Sequence, residues 1–241
     1  MTESAKPFDG RLALVTGASR GIGAATAEAL AAVGAHVILT ARTAQALEQI
    51  EERIHASGGT ATIAPMDLTE SDSIARLADA ISERWGKLDV LVINAAILPQ
   101  LTPVAQIEQQ FFNRALTLNV LATQALLANF DPLLKRAEAG RVIGVTSWIG
   151  QNPRAYWGAY GATKAAFDNL LGAYAQEVQN ISNTRVAIVD PGATRTQMRA
   201  RAYPGEDPAT VKAPEVVGER IAALVQEDFA TGSRISVENP A

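Results

Sequence analysis

The segment Leu12-Ala13-Leu14-Val15-Thr16-Gly17-Ala18-Ser19-Arg20-Gly21-Ile22-Gly23 decides the fold class of this chain. Four apolar residues, typical of a buried strand, run into a glycine-rich turn, and an alanine-rich helix is predicted from Gly21 to Val33. The spacing Gly-x-x-x-Gly-x-Gly differs from the common Gly-x-Gly-x-x-Gly fingerprint. Glycines still permit a tight turn, and N–H groups at a helix start attract phosphate. The segment therefore predicts a phosphate-binding turn, with a turn that only packs the helix on the sheet as the alternative.

Apolar runs and helical patterns alternate along the rest of the chain. Further strands are predicted at 37–40, 60–64, 90–93, 141–146, 185–189 and 234–237. Helices are predicted at 44–57, 69–85, 106–130, 156–178 and 214–225, and residues 191–213 are predicted to be irregular. Thr69, with Asp72 three residues on, is the predicted cap of the second of these helices. Continuously apolar strands indicate a parallel sheet covered on both faces. We therefore expect an α/β, Rossmann-like doubly wound parallel sheet of about seven strands, with helices on both faces and a single domain over residues 1–241.

Composition excludes several classes of function. The chain has 241 residues, is 48% hydrophobic, has a net charge of -4 and contains no cysteine. We expect no disulfide, no thiol nucleophile and no binding to nucleic acid or anionic membranes. The polar start Met1–Pro7 is no signal peptide, so a cytoplasmic protein is expected. His36 and His55 lie beside no plausible metal or triad partner, which argues against metal sites and histidine-based hydrolases.

Two arginines predict the nucleotide. The second strand ends in Thr40-Ala41-Arg42, with no acid to bind a ribose 2′-hydroxyl. Guanidinium groups suit a bidentate phosphate contact, and Arg20 lies in the glycine turn. This favours NADP(H) over NAD(H), with Arg20 and Arg42 flanking the 2′-phosphate. Two solvated surface arginines are the alternative.

Tyr160 and Lys164 lie four residues apart, on one face of a predicted helix. A nearby ammonium favours the phenolate and lowers the pKa of a tyrosine, so the pair could act as an acid/base. Ser147 follows the fifth strand, where ligands bind in such sheets. Asp67 follows the third strand and could accept from an adenine amino group or cap the next turn.

Taken in order, these motifs resemble the classical short-chain dehydrogenase/reductase family over nearly the whole chain. The matching residues are Thr16 to Gly23, Asp67, Asn94-Ala95, Asn119, Ser147, Tyr160-x-x-x-Lys164 and Pro191-Gly192. The segments 157–160 and 194–199 also resemble a little-characterised bacterial subgroup of that family.

The resemblance implies four catalytic residues. Tyr160 would be the acid/base, Lys164 would lower its pKa and bind the nicotinamide ribose, and Ser147 would hydrogen-bond the substrate oxygen. Asn119 would hold a water that links Lys164 to solvent. The expected cofactor-binding residues are Gly17, Ser19, Arg20, Gly21, Ile22, Gly23, Arg42, Asp67, Leu68, Asn94, Ala95, Ala96, Tyr160, Lys164, Pro191, Gly192 and Thr194.

Two departures from the family pattern stand out. Ala96 replaces a common glycine, and its methyl could crowd the cofactor. The end, Ser236 to Ala241, lacks the glycine-rich tail that the family often has. The helices 106–130 and 156–178 would make the usual homodimer interface, and a homotetramer is the alternative.

The segment 193–213 is expected to cover the substrate. Arginines in and near it would suit an anionic carbonyl or a phosphorylated carrier, and a mobile solvated lid is the alternative. The candidate substrate residues are Trp148, Arg154, Trp157, Arg195, Met198 and Arg199. We expect an NADP(H)-dependent enzyme that interconverts a carbonyl and a secondary alcohol. The alternatives are a 3-oxoacyl-carrier reductase and a non-catalytic NADP-binding sensor or scaffold.

Overall fold

The computed structural model describes residues 6–70 and 72–238. The start of the chain and the last residues of the tail lie outside these ranges. The expectations of no signal peptide and of no glycine-rich tail fall in part on those residues. A seven-stranded parallel sheet has the order β3-β2-β1-β4-β5-β6-β7. The strands are β1 Leu12–Thr16, β2 His36–Ala41, β3 Thr60–Pro65, β4 Val90–Ile93, β5 Arg141–Val145, β6 Arg185–Asp190 and β7 Ser233–Ser236. The predicted doubly wound fold and its seven strands are confirmed.

Helices cover both faces of this sheet. They are α1 Gly21–Ala32, α2 Ala44–Ala56, α3 Ser73–Trp85, α4 Gln109–Leu116, α5 Ala122–Arg136, α6 Gly158–Val178, α7 Gln197–Ala202 and α8 Pro214–Leu224. Alternate residues of β1 enter different cores: Val15 packs with the side chains of α1, α2 and α8, and Leu14 with those of α3, α5 and α6. Because both faces of a strand are buried, its sequence is apolar throughout rather than alternating.

The predicted cap of α3 is wrong. The helix begins at Ser73, after Asp72 in a left-handed conformation with φ 61°. Thr69 instead donates to the Asp67 carboxylate, from its N–H at 2.9 Å and from its hydroxyl at 2.7 Å. A short polar side chain can satisfy nearby backbone groups, and here that produces a turn ahead of the helix.

The predicted helix 106–130 is divided in the structure. It consists of α4, a π-helical turn at Thr117–Leu121, and α5, which continues past Pro132 to Arg136. The long helix α6 begins at Gly158, two residues later than expected, because Tyr156 has a φ of 72°. The segment predicted to be irregular contains the short helix α7. Within residues 6–70 and 72–238, no helix is long and apolar enough to cross a membrane.

Candidate active site

The glycine turn connects β1 to α1 at the carboxyl edge of the sheet. Gly17 has a φ of 66° and Gly21 a φ of 56°, a region that other residues rarely adopt. A Cβ on Gly23 would lie 2.2 Å from the Gly17 carbonyl oxygen, so only glycine allows the helix to approach the turn. Ser19 and Ile22 are half-buried beside these glycines. N–H groups at a helix start lack intrahelical partners and can bind an anion, and those of α1 lie directly after this turn.

Two side chains join the ends of β1 and β4. Thr16 is fully buried, and its hydroxyl accepts from the N–H groups of Asn94 at 2.9 Å and of Ala95 at 3.1 Å. The Asn94 amide donates to the Thr16 carbonyl oxygen at 2.8 Å. Ala96 follows, half-buried. These bonds hold the segment after β4 against the glycine turn.

The two arginines expected at a 2′-phosphate lie in different surroundings. Arg42 is exposed directly after β2. Burial raises the pKa of the nearby Asp67, but the Thr69 hydrogen bonds and, to a smaller extent, the charge of Arg42 hold that pKa below its usual range. Arg20 donates to the Gln197 side chain at 2.6 Å, so it also contacts α7. Asp67 caps a turn, one of the two roles considered for it, and Leu68 is half-buried beside it.

Asn119 lies in the π-helical turn and is 1% exposed. Its side-chain oxygen accepts from the Ile97 N–H at 2.9 Å, and its amide donates to the Ile97 carbonyl at 3.0 Å and to the Thr163 hydroxyl at 3.0 Å. Single π-turns inside helices frequently mark functional sites. The network ties the π-turn to α6 beside the Tyr160/Lys164 pair.

Ser147, Tyr160 and Lys164 come together at the carboxyl end of β5. Ser147 lies two residues after this strand, and its hydroxyl lowers the pKa of the nearby Tyr160 phenol. Tyr160 and Lys164 project from α6 and are 6% and 2% exposed. Lys164 Nζ donates to the Val145 carbonyl at 2.8 Å and lies 6.0 Å from the Tyr160 ring centre. The site thus brings together the Tyr160 phenol, which can donate or accept a proton, the Ser147 hydroxyl and the Lys164 cation.

The pKa of Tyr160 differs from the sequence-based expectation. Burial raises it above the ordinary value of a tyrosine, Asp190 raises it further, and the Ser147 hydrogen bond lowers it only in part. The Lys164 ammonium is directed at a backbone carbonyl and does not offset this burial. Burial also lowers the pKa of Lys164 to about 8, although Asp168 and Asp190 act in the opposite direction. The expected lowering of the Tyr160 pKa is therefore wrong for this conformation.

The turn after β6 faces the same edge of the sheet. Asp190 accepts from the Gly192 N–H at 3.0 Å, and Gly192 has a φ of 60°. Thr194 is 4% exposed, and its hydroxyl donates to the Pro191 carbonyl at 3.1 Å. The turn is therefore held by its own side chains.

The segment 193–213 lies over the phenol. Met198 on α7 has its sulfur 4.0 Å from the Tyr160 hydroxyl. The Tyr203 ring lies 5.8 Å from that of Trp157, which contacts Tyr160 edge-on at 6.0 Å. A row of side chains thus links α7 to the phenol.

Two of the arginines expected at the substrate make their observed contacts within this segment or with it. Arg199 forms a two-bond ion pair with Glu206, at 2.7 and 2.5 Å, and stacks 3.7 Å from the Tyr203 ring. Arg154 donates to the Tyr203 hydroxyl at 2.9 Å. Arg195 and Trp148 are exposed.

Sequence reasoning did not single out two residues of this region. Thr163 receives the Asn119 amide bond, and Asp168 lies one helical turn beyond Lys164 with its side chain 10% exposed. The i, i+4 spacing that relates Tyr160 to Lys164 also relates Lys164 to Asp168, and this repeat was a usable signal. Within the described ranges, no group of three His, Asp or Glu side chains could hold a metal ion.

The chain is similar to known proteins in sequence and in structure. The sequence profile described as short chain dehydrogenase matches residues 11–207. The chain is 36% identical over 207 residues to the uncharacterized oxidoreductase YciK of Escherichia coli K12, covering 85% of this chain and 81% of that protein.

Two solved structures are similar over nearly their full length. A short chain dehydrogenase from Shigella flexneri 2a, complexed with NADP, has a TM-score of 0.92 and 33% identity, covering 97% of this chain and 99% of that one. A short chain dehydrogenase from Escherichia coli CFT073, complexed with NADPH, has a TM-score of 0.92 and 33% identity, covering 98% and 100%.

Proposed function

The chain belongs to the short-chain dehydrogenase/reductase family of oxidoreductases, and from this premise we propose that it interconverts a carbonyl and a secondary alcohol with NADP(H). The observation that carries the proposal is the meeting of Ser147, Tyr160 and Lys164 at the end of β5. The glycine turn opens at the same edge of the sheet, at the end of β1. A hydride donor bound there would lie beside the phenol.

The residues present fit a dinucleotide. The glycines keep the turn tight, since a Cβ on Gly17 or Gly23 would meet Asn94 or the turn itself, and the N–H groups at the start of α1 would be the ones that bind a pyrophosphate. The NADP and NADPH complexes of the two similar structures support the same cofactor here. The other proposed contacts are Ser19, Arg20, Ile22, Arg42, Asp67, Leu68, Asn94, Ala95, Ala96, Tyr160, Lys164, Pro191, Gly192 and Thr194.

A preference for NADP(H) over NAD(H) rests on Arg42. Its exposed guanidinium stands where an NAD site would have an acid for the ribose 2′-hydroxyl. A 2′-phosphate suits that guanidinium better than a hydroxyl does. Arg20 would support it from the glycine turn, and its bond to Gln197 would couple nucleotide binding to α7.

Tyr160 would supply the proton during reduction. The bound cofactor supplies the hydride, and the protein orients and polarises the carbonyl. The Tyr160 hydroxyl would donate to the substrate oxygen while the Ser147 hydroxyl donates to the same oxygen. A pKa above the ordinary value keeps Tyr160 protonated until transfer. Lys164, as a buried cation, would then stabilise the phenolate that remains.

Asn119 would support this exchange from the π-turn. Its amide groups bond Ile97 and Thr163, which holds the turn against α6. A water beside it could carry protons from Lys164 to solvent. The role is proposed from the family resemblance together with this placement.

The segment 193–213 would act as the substrate lid. Met198 and Trp157 are nearest the phenol and would contact the substrate body. Arg154 and Arg199 are engaged by Tyr203 and Glu206, so we propose that they position the lid rather than bind an anionic group. Arg195 and Trp148 would lie at its exposed rim.

We also propose a homodimer through α5 and α6. The family resemblance assigns these helices to the dimer interface, and Leu121, the residue before α5, is 60% exposed and would be covered there. Sedimentation of the wild type and of Leu121→Glu tests it, because a charge at a packed interface would shift the protein to a monomer.

A screen of carbonyls with NADPH and NADH tests the function, with free and carrier-linked 3-oxoacyl compounds in one arm. Turnover of free ketones or aldehydes that falls in Tyr160→Phe supports the proposal. Turnover restricted to carrier-linked compounds would instead support the carrier reductase. A protein that binds NADPH tightly but reduces nothing would be the sensor.

A further inference from the structure

A nearly buried ion pair lies behind the Lys164 side chain. Asp168 projects from α6, one turn beyond Lys164, and its side chain is 10% exposed. One of its carboxylate oxygens accepts from the Thr146 hydroxyl, and the other accepts from Arg234 Nη1 at 2.7 Å. Arg234 belongs to β7, so this pair connects the edge strand of the sheet to the helix that carries Tyr160 and Lys164.

The ion pair also fixes the group that Lys164 binds. Lys164 Nζ donates to the carbonyl of Val145, the residue before Thr146. The Thr146 bond to Asp168 therefore holds the end of β5 in the position that receives the ammonium. Gly150 packs against this part of α6, since a Cβ there would lie 3.1 Å from both the Asp168 carboxylate and the Lys164 Cβ.

Lys164 is surrounded by few charges. Asp168 lies on its own helix and Asp190 at the end of β6, and both carboxylates raise its pKa, whereas burial lowers it to about 8. The Phe167 ring lies 4.5 Å from Nζ, and the neutral Tyr160 lies one turn before it. Arg234 is the cation paired with Asp168. A lysine with a pKa near 8 changes its charged fraction strongly when one neighbouring charge is altered.

We propose that Asp168 and Arg234 are positioning residues, with Asp168 keeping Lys164 charged and seated on the Val145 carbonyl, and Arg234 limiting how strongly that carboxylate acts. The carboxylate has two opposing effects on the site. It favours the Lys164 ammonium, and it raises the pKa of Tyr160. Partial neutralisation by Arg234 balances these effects. The inference rests on the proposed function only in taking Lys164 to be part of the reaction.

Titration of Lys164 by NMR tests the proposal without substrate or cofactor. The lysines are Lys6, Lys87, Lys135, Lys164 and Lys212, so ¹³Cε-lysine labelling gives few signals, and Lys164→Arg identifies the one of interest. We expect Asp168→Asn to lower the Lys164 pKa by about one unit, because a favourable charge is lost. We expect Arg234→Gln to raise it by about half a unit, because Asp168 then acts unopposed.

The opposite directions of the two Lys164 pKa changes distinguish this role from a merely structural one. If the pair only held β7 and α6 together, both variants would admit water and raise the Lys164 pKa towards 10.5. An Asp168→Asn pKa that rises or stays constant, or an Arg234→Gln pKa that falls, overturns the proposal. Arg234 lies on an edge strand and is only partly buried, so its variant keeps the test available if Asp168→Asn does not fold.

A kinetic measurement then links the pair to the reaction. The rate of carbonyl reduction should fall at high pH, where Lys164 loses its proton. This fall should begin at lower pH in Asp168→Asn and at higher pH in Arg234→Gln. If the NMR shifts appear but the wild type reduces no carbonyl, the proposed function fails and the electrostatic role stands. If carbonyls are reduced but neither the NMR signal nor the fall in rate at high pH moves, the inference fails and the function stands.

Discussion

The sulfur of Met198 lies 4.0 Å from the hydroxyl of Tyr160. A substrate carbonyl must reach that same hydroxyl, so Met198 and the substrate oxygen compete for one place. In the proposed reaction the Met198 side chain therefore has to shift for substrate to bind, and the contacts that hold α7 affect that shift.

Tyr160→Phe should lower kcat for carbonyl reduction by about 10²- to 10⁴-fold, because the proton donor is lost while the ring remains. NADPH affinity, measured by fluorescence, should change little. Tyr156→Phe is the matched control, since that side chain is 59% exposed and outside the site. Full activity in Tyr160→Phe would show that another group supplies the proton.

Arg42→Ala should weaken NADPH binding by about tenfold or more and leave NADH binding nearly unchanged, because only NADPH carries the 2′-phosphate. Calorimetric titration with both nucleotides measures this. Arg220→Ala removes the same charge from α8 and is the control. Equal losses for the two nucleotides would contradict the assignment.

Lys164→Met should stabilise the fold while it removes activity. Burial lowers the pKa of Lys164 from 10.5 to about 8, so the unfolded chain binds more protons between these values. The cost of the buried ammonium is complete below pH 8 and disappears as the pH rises towards 10.5. We expect a gain of about 1–3 kcal/mol in unfolding free energy at pH 7.

Urea denaturation at several pH values measures that gain. The difference between Lys164→Met and the wild type should shrink as the pH increases from 8 to 10. A variant that is less stable than the wild type at pH 7 would show that the Val145 hydrogen bond outweighs the cost of burial.

Gly23→Ala should destabilise the protein by about 2 kcal/mol or more, because its Cβ would meet the Gly17 carbonyl at 2.2 Å. NADPH binding should be lost with it. Gly205→Ala is the control for stability, since a Cβ there meets no heavy atom within 4 Å. Thermal melts of Gly23→Ala and Gly205→Ala measure the loss of stability. Equal melting temperatures for the two variants would mean that the turn is not tight.

Tyr203→Phe should loosen the lid by removing the 2.9 Å bond from Arg154 while keeping the ring contacts with Trp157 and Arg199. One such bond at an exposed site contributes about 0.5–1.5 kcal/mol, so faster tryptic cleavage at Arg199 and Arg201 is expected. Tyr203→Ala should have a larger effect. No change in either variant would show that other contacts hold α7.

Much of the fold could be predicted because local sequence carried it. The apolar runs of the inner strands β1, β2, β4, β5 and β6 are continuous because both faces of these strands are buried, whereas the edge strands β3 and β7 are only partly buried. Element boundaries were less predictable. The start of α3 depends on the Asp67–Thr69 turn, and the π-turn around Asn119 depends on packing against α6. Neither contact leaves a repeating pattern in the sequence.

The sequence alone determined the doubly wound sheet, the glycine turn and the membership of Tyr160 and Lys164 in one helical face, because these follow from periodicity and from the special freedom of glycine. Only the tertiary structure decided the electrical environment of that pair. Burial raises the pKa of Tyr160 and lowers that of Lys164, and Arg234 reaches Asp168 from 66 residues away. Desolvation and charge interactions depend on which groups surround a side chain in space. The order of residues along the chain does not give the distances between such groups.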